Sequence, residues 1–360
     1  MVSEQRVVII GAGVLGAAIG WGLSRRGVGV TVFDPKPGGV ASPGSFAWLN
    51  ASFAQHPVYN ALRRDSLALW KQLTERDPSV PVVFNGSLVW EQEHFDLDAL
   101  LTSQQRLDLP ATFVGGSEIG ELCSSVRHRP ERALHLQGDG HGDPEAITTW
   151  FLDAARRNGA IVEPTAVDEV VVDGGRVAGV RTAEYDVEAR QVIVAAGVGL
   201  PRLLASIGLD LAMENEAGLL ARTTPGRAVF DTILIAPDVH VWQRTDGGYL
   251  IGADFGGSLH IDDPDRTSNQ VLASLGDLLD GTDECTVENV TVRQRPKPVD
   301  GLPAIGPFGP DGLYVVSTHS GMTLAPAIAE MVTTEIAEGQ VDPRLGPFRP
   351  DRSSLVPRGG

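Results

Sequence analysis

Lysine is almost missing from this chain: the 29 basic residues include only Lys36, Lys71 and Lys297, and no extended Lys/Arg run occurs. Against them stand 46 acidic residues and a net charge of −17, so neither nucleic acid nor an anionic membrane surface is an expected partner. Cysteine is equally scarce. Cys123 and Cys285 lie far apart without metal-ligand spacing, which argues against a disulfide scaffold or a metal site and for two buried thiols in a reducing compartment. Long apolar runs are absent as well. The stretch from Val7 to Leu23 is broken by five glycines and lacks the charged start and cleavage site of a signal peptide. A cytoplasmic protein with no membrane insertion is therefore expected. At 360 residues and 42% hydrophobic content the chain has enough material for a large core and two domains. Leu355-Val356-Pro357-Arg358-Gly359 resembles a thrombin cleavage site, so residues 353–360 are read as a tag remnant outside the fold.

The stretch that organises the rest is the first. Val7 to Ile10 is a β-branched run of the kind that forms a buried parallel strand, Gly11-Ala12-Gly13-Val14-Leu15-Gly16 follows, and Val14 to Arg26 has helical spacing before Gly27 stops it. A second strand, Val28 to Phe33, closes on Asp34. In this order the motif reads as a βαβ nucleotide site. Gly11 allows the tight turn, Gly13 lets the backbone approach a pyrophosphate, and Gly16 permits close packing of helix on strand, while Asp34 accepts from a ribose. The motif alone does not separate NAD from FAD.

Further along, Pro35 to Asn50 has neither helical nor alternating period and is too apolar to be solvated throughout, so something must cover it. Tyr59 to Arg76 reads as an amphipathic helix, Val82 to Trp90 as strand and Leu97 to Leu107 as helix. Asp143-Pro144 opens another helix with Ile147, Trp150, Phe151 and Ala154 as its apolar stripe. Val167–Val172 and Val177–Thr182, joined by Asp173-Gly174-Gly175, form a hairpin, and Gln191 to Gly199 is a second apolar strand ending in small residues. From Leu211 to Cys285 the alternating segments suggest an antiparallel sheet. Leu313 to Ser317 then reads as strand, Thr318 to Gly321 as turn, and Met322 to Glu338 as a helix interrupted early by Pro326.

Taken together these pieces resemble the FAD-dependent D-amino-acid oxidase superfamily, in the branch of glycine oxidase, sarcosine oxidase and D-amino-acid dehydrogenases. The resemblance runs from residue 6 to about 340 and is carried by GAGVLG with Asp34, SFAWLNA, DGHGDPEAI leading to VIVAAGVG, RPKPVDGLPAIGP and GLYVVSTHSGMTLAP. It implies an α/β plus α+β fold: a Rossmann-like FAD-binding domain of residues 1–80, 138–210 and 291–345, and a second, mainly antiparallel-sheet substrate domain of residues 81–137 and 211–290. The cofactor-binding set it implies comprises Gly11, Gly13, Val14, Leu15 and Gly16 at the pyrophosphate, and Asp34, Pro35 and Lys36 at the adenosine ribose. Ser42, Ser45, Phe46, Ala47, Trp48, Leu49 and Asn50 would run beside the flavin ring, with Val167 at the adenine and Ala195, Ala196 and Gly197 against the dinucleotide. Arg295 belongs to the same set, and Gly321, Met322, Thr323 and Leu324, opening the last helix, would face the flavin N1 and C2 carbonyl, where charge develops on reduction.

Catalytic roles fall by the same resemblance to Arg295, as partner of a substrate carboxylate, and to His319, Tyr249 and Trp48. Arg293 competes with Arg295 on chemistry alone. Trp242, His240 and Tyr59 are further aromatic candidates near a substrate. The implied reaction is oxidation of an amino acid or secondary amine to the imine, with oxygen or another acceptor reoxidising the flavin. No cysteine lies between Arg293 and Thr323, so FAD is expected to be non-covalent, and Leu250 stands where sarcosine-oxidase-like members carry an oxygen-activating lysine. Two alternatives stay open, a flavin-binding subunit of a hetero-oligomeric enzyme and an NAD-dependent dehydrogenase.

Overall fold

The computed structural model describes residues 6–52, 56–92, 96–253 and 261–356. They form two compact units, one of residues 1–43, 144–216 and 294–360, the other of residues 44–143 and 217–293. Residues 44–80, expected with the nucleotide domain, thus belong to the second unit. The physical reason is visible in the loop itself, where Trp48 and Leu49 pair antiparallel with His141 and Gly140 of that unit.

The first unit is built on a six-stranded sheet. Its central strand β1 (Val7–Ile10) pairs parallel with β2 (Val30–Phe33) on one side and with Gln191–Val194 on the other. Ile161–Glu163 and Leu313–Ser317 extend it in parallel, and Ala304–Pro307 closes one edge antiparallel. All four residues of β1 are buried, as a parallel strand covered on both faces requires. Val8 and Ile10 point to one side, into a core shared with Val167, Val170, Val177 and Val180 of a three-stranded antiparallel sheet. The other side carries helix α1 (Val14–Arg25) with the helices Pro144–Arg157 and Gly321–Glu338 beside it. Trp21 of α1 packs its ring 5.7 Å from Trp150 and 5.5 Å from Phe151, which accounts for the apolar stripe of the Pro144 helix. The last helix is continuous through Pro326 rather than interrupted by it.

The end of the chain is part of this unit. Leu355 is fully buried in the β1 core and its carbonyl accepts from Ala212 N at 3.0 Å, so residues 353–356 are not the detached tail expected from the cleavage-site resemblance. Residues 357–360 lie outside the described set.

The second unit is built on residues of an eight-stranded sheet, in the order Val287–Pro298, Met213–Thr223, Tyr249–Gly252, His240–Gln243, Ile233–Ile235, Ser87–Trp90, Ala133–Leu136, Ala111–Val114, of which residues 213–216 and 294–298 count with the first unit. From Met213–Thr223 to Ala111–Val114 the pairs are antiparallel, except that Ile233–Ile235 runs parallel to Ser87–Trp90. One face packs Tyr249, Ile251 and Val241 against Ile119, Cys123, Val271 and Leu275. Val271 and Leu275 belong to a helix, Pro264–Leu278, within the stretch whose alternating segments suggested an antiparallel sheet and for which no helix was expected. Its signal is local: the Asp263 side chain caps Arg266 N at 3.0 Å and proline sits in the first turn. The opposite face gathers Phe46, Trp48, Trp242 and Leu250 with Leu97 and Leu100 of the helix Leu97–Arg106.

Candidate active site

In the first unit the parallel strands deliver their carboxyl ends to one edge of the sheet, and the expected cofactor residues collect there. Gly11, directly after β1, has φ +108°, and a Cβ on it would fall 2.4 Å from the carbonyl oxygen of Ala195. Only glycine turns the chain that tightly against the end of the Gln191–Val194 strand. A Cβ on Gly16 would fall 1.8 Å from Gly11 O, so α1 rests directly on the turn. Gly13, the residue before α1, is different: its nearest obstacle is the Ser42 hydroxyl, 3.1 Å from a built Cβ. That same hydroxyl accepts from Val14 N at 3.0 Å.

Asp34 is fixed by main chain. Its Oδ2 accepts from Ala12 N at 2.7 Å and its Oδ1 from Lys36 N at 2.8 Å, and each carboxylate oxygen has a second lone pair to offer a hydroxyl. Opposite the turn lies the N-terminus of the last helix, whose first ladder bond runs from Leu324 N to Ser320 O. A Cβ on Gly321 would sit 3.2 Å from Val14 Cγ1 and 3.6 Å from Leu15 Cγ. Two helix N-termini therefore meet, each presenting main-chain N–H groups and partial positive charge. Gly197 approaches Pro296, with 3.8 Å between a built Cβ and Cγ. The Val167 carbonyl accepts from Arg202 Nη2 at 3.2 Å. Arg295 Nη2 lies 3.7 Å from Glu216 Oε2, and Lys297 contacts the other oxygen of Glu216. His319 is half-buried in the turn just ahead of the last helix.

The remaining expected residues, Ser45 to Asn50 and Tyr249, belong to the second unit. Ala47 holds φ +52°, braced by its own N–H donating to Ser45 Oγ at 3.0 Å, and Asn50 bridges Trp48 O to Ser52 N. Strand register separates the aromatic candidates. Trp242 is paired with Leu250 and Gln243 with Tyr249, so Trp242 shares its face with Leu250, not with Tyr249. Trp242 donates from Nε1 to Phe46 O at 2.8 Å, and the His240 and Phe46 rings are 6.5 Å apart.

Tyr249 therefore leaves the catalytic set. Fully buried on the opposite face, it stacks on Phe230 with 5.9 Å between ring centroids and donates to Ala228 O at 2.7 Å. Burial pushes its hydroxyl up to about 12, so it stays protonated at physiological pH. Tyr59 is likewise a packing residue, beneath the Arg63 guanidinium at 4.6 Å.

Two residues escape sequence reasoning. Asp139, 1% exposed, accepts from Trp48 Nε1 at 2.9 Å and from Ser87 Oγ at 2.6 Å. His141, 7% exposed, stacks on Trp242 with 4.7 Å between centroids, and burial lowers its pKa. A signal exists: the alternation Asp139-Gly140-His141-Gly142 marks close backbone approach, and a Cβ on Gly140 would fall 2.6 Å from Val83 O.

A backbone turn closed to side chains at Gly11 and Gly16, yet bordered at Gly13 only by a hydroxyl, with two helix ends converging beside it, fits a dinucleotide. The comparisons agree. The model of the family described as FAD dependent oxidoreductase matches residues 6–335, and the chain belongs to that family. It is a flavoenzyme that depends on FAD, and the NAD reading is set aside. Glycine oxidase of Pseudomonas putida is 26% identical over 97% of this chain and 99% of its own length. One of the subunits of opine oxidase from Rhizobium meliloti is 22% identical over 96% of each chain. Among solved structures, glycine oxidase of Geobacillus kaustophilus superposes with a TM-score of 0.84 at 24% identity, covering 97% of this chain and 99% of that one, which establishes the fold. No helix among the described residues is long and apolar enough to cross a membrane.

Proposed function

We propose that the chain oxidises an amino acid or secondary amine to the imine, with FAD bound non-covalently and reoxidised by oxygen or another acceptor. The observation that carries this is the meeting of two helix N-termini, at Gly13–Val14 and at Gly321, on one edge of the parallel sheet. Bound FAD supplies the hydride acceptor, flavin N5, for the carbon that bears a neutral amine. The chain's own residues do the rest. Leu15 would offer the pyrophosphate its main-chain N–H beside the Val14 N–H held by Ser42 Oγ, Asp34 would orient the ribose, and the helix N-terminus opened by Gly321 would face the negative charge that develops. Arg295 takes the substrate carboxylate in its planar fork and thereby sets the α-carbon against the acceptor. Trp48 and His319 remain proposed neighbours of flavin or substrate. Both cysteines are buried in the second unit, away from the sequence segment that tethers flavin in covalent relatives, which supports the non-covalent reading.

The test is the visible spectrum of the purified protein before and after anaerobic addition of candidate amines: bleaching identifies the substrate class, and its absence with all amino acids and secondary amines overturns the proposal. Arg295→Lys is expected to raise the KM of a carboxylate substrate while leaving flavin content unchanged. Arg295→Ala with unaltered kinetics removes the anchor. A second reading, a flavin-binding subunit handing electrons to a partner, is favoured by the similarity to one of the subunits of opine oxidase. Full turnover by the isolated chain removes it.

A further inference from the structure

We propose that Asp139 is a positioning residue for the reaction: through the Trp48 indole it sets the loop Ser45 to Asn50, an inference that rests on the reading of that loop as a neighbour of flavin or substrate. The loop is strained where it is held. Among the described residues only Ala47 and Asp108 are non-glycine residues with positive φ, and Ala47, at +52°, lies in the left-handed region that a Cβ disfavours. Such a conformation persists only where its surroundings over-determine it. They do so on both sides. Before Ala47, the Phe46 carbonyl accepts from Trp242 Nε1 at 2.8 Å; after it, Trp48 donates from Nε1 to Asp139 Oδ2 at 2.9 Å. The two anchors are joined to each other. Trp242 stacks on His141, and Gly140 and His141, directly after Asp139, pair antiparallel with Leu49 and Trp48. Side chains and main chain of the second unit thus close a circuit around one strained residue.

At the Asp139 end this circuit passes through a single atom. Trp48 Nε1 and Ser87 Oγ both donate to Oδ2, at 2.9 and 2.6 Å. Ser87 opens Ser87–Trp90, an inner strand of the eight-stranded sheet, so the one oxygen ties the loop to the sheet. An indole can donate but not accept. With Oδ2 removed, the Trp48 N–H loses this acceptor in a buried place, and Ala47 is freed to relax toward the negative φ that alanine prefers. What the loop requires here is an acceptor rather than a charge, since an amide oxygen in the place of Oδ2 has the lone pairs for both bonds.

The experiment compares the flavin-loaded parent with Asp139→Leu, Asp139→Asn and Trp48→Phe, reading flavin content, Tm and the rate of anaerobic bleaching by the amine that bleaches the parent. Asp139→Leu is expected to slow bleaching on the order of tenfold with flavin content within about twofold of the parent, because the loop shifts while the main-chain cradle of the first unit does not. Trp48→Phe removes the same bond from its other end and should slow bleaching similarly, and the combined variant should be no slower than the slower single one. Asp139→Asn should keep the parent rate. Where Asp139→Leu does not fold, Asp139→Ala takes its place. A lowered Tm with an unchanged rate overturns the inference and leaves Asp139 a structural residue. Asp139→Asn as slow as Asp139→Leu overturns it too, because the acceptor is then present and the rate is still lost. Effects that multiply in the combined variant do the same, since the two residues then act separately. An unchanged Asp139→Leu rate beside a slowed Trp48→Phe overturns the inference and leaves the Trp48 reading intact. Unchanged rates in both remove reading and inference together.

Discussion

The two units of this protein make their chemistry from different materials. In the first, the cradle is main chain: an amide turn, two helix ends and a serine hydroxyl, made possible by what Gly11 and Gly16 do not carry. In the second, the candidate site is side chain: Phe46, Trp48, His141, His240 and Trp242 reach one sheet face from a loop and two separate strands. Main-chain sites are written in consecutive residues, because geometry within a turn depends on neighbours. Side-chain faces are written in cross-strand register, which consecutive residues do not contain.

The largest effects should come from breaking the main-chain site. Gly16→Val forces a side chain onto Gly11 O, where a Cβ alone lies at 1.8 Å, and is expected to destabilise by about 3 kcal/mol or more, seen as lost soluble yield or a collapsed Tm. Gly13→Val should separate cofactor from fold. Its Cβ meets only Ser42 Oγ at 3.1 Å, so Tm without flavin should stay near the parent value while flavin absorbance per protein disappears. A Gly13→Val protein that purifies with full flavin would place the pyrophosphate elsewhere.

Next in size is a test of the two sheet faces. Tyr249→Phe removes one of two donors to the Ala228 carbonyl, which still accepts from Gln243 Nε2 at 2.9 Å, and should cost about 1 kcal/mol of stability while leaving kcat and KM unchanged. Trp242→Phe, on the other face, loses a comparable bond to Phe46 O and should alter the kinetics as well. Kinetic damage from Tyr249→Phe with none from Trp242→Phe would reverse the faces.

This contrast also explains what is legible in the sequence. Gly11, Gly13, Gly16 and Asp34 are readable from spacing alone, and the structure brings them to one edge. Tyr249 misleads because its place beside Leu250 says nothing about which of the two points toward Trp242; that is decided by pairing with Gln243, six residues away across a turn. The Pro264–Leu278 helix is hidden although Asp263 and Pro264 announce it, since alternation on both sides outweighs a cap. Asp139 and Trp48 are 91 residues apart, and no local pattern predicts that a carboxylate will be buried against an indole.

The last effect, spread over a range of pH, concerns that pair. Burial pushes Asp139 up to about 7 from its ordinary 3.8, against the opposing pull of the Ser87 and Trp48 hydrogen bonds and the charge of Lys71. Between these two values the unfolded chain has given up the proton that folded Asp139 retains, so this residue withdraws stability as pH rises from about 4 to about 7 and has no further effect above that window. The slope has an upper limit on the order of 1.4 kcal/mol per pH unit. Asp139→Asn cannot titrate, so the parent should lose Tm relative to the variant across the window and run parallel to it at higher pH. In the parent, Trp48 fluorescence should follow the same transition as the acceptor of its Nε1–H gains charge. Parallel Tm curves for parent and variant from pH 4 to 8 would show that Asp139 is ionised throughout, and that Trp48 is held by a fixed charge rather than by a titrating one.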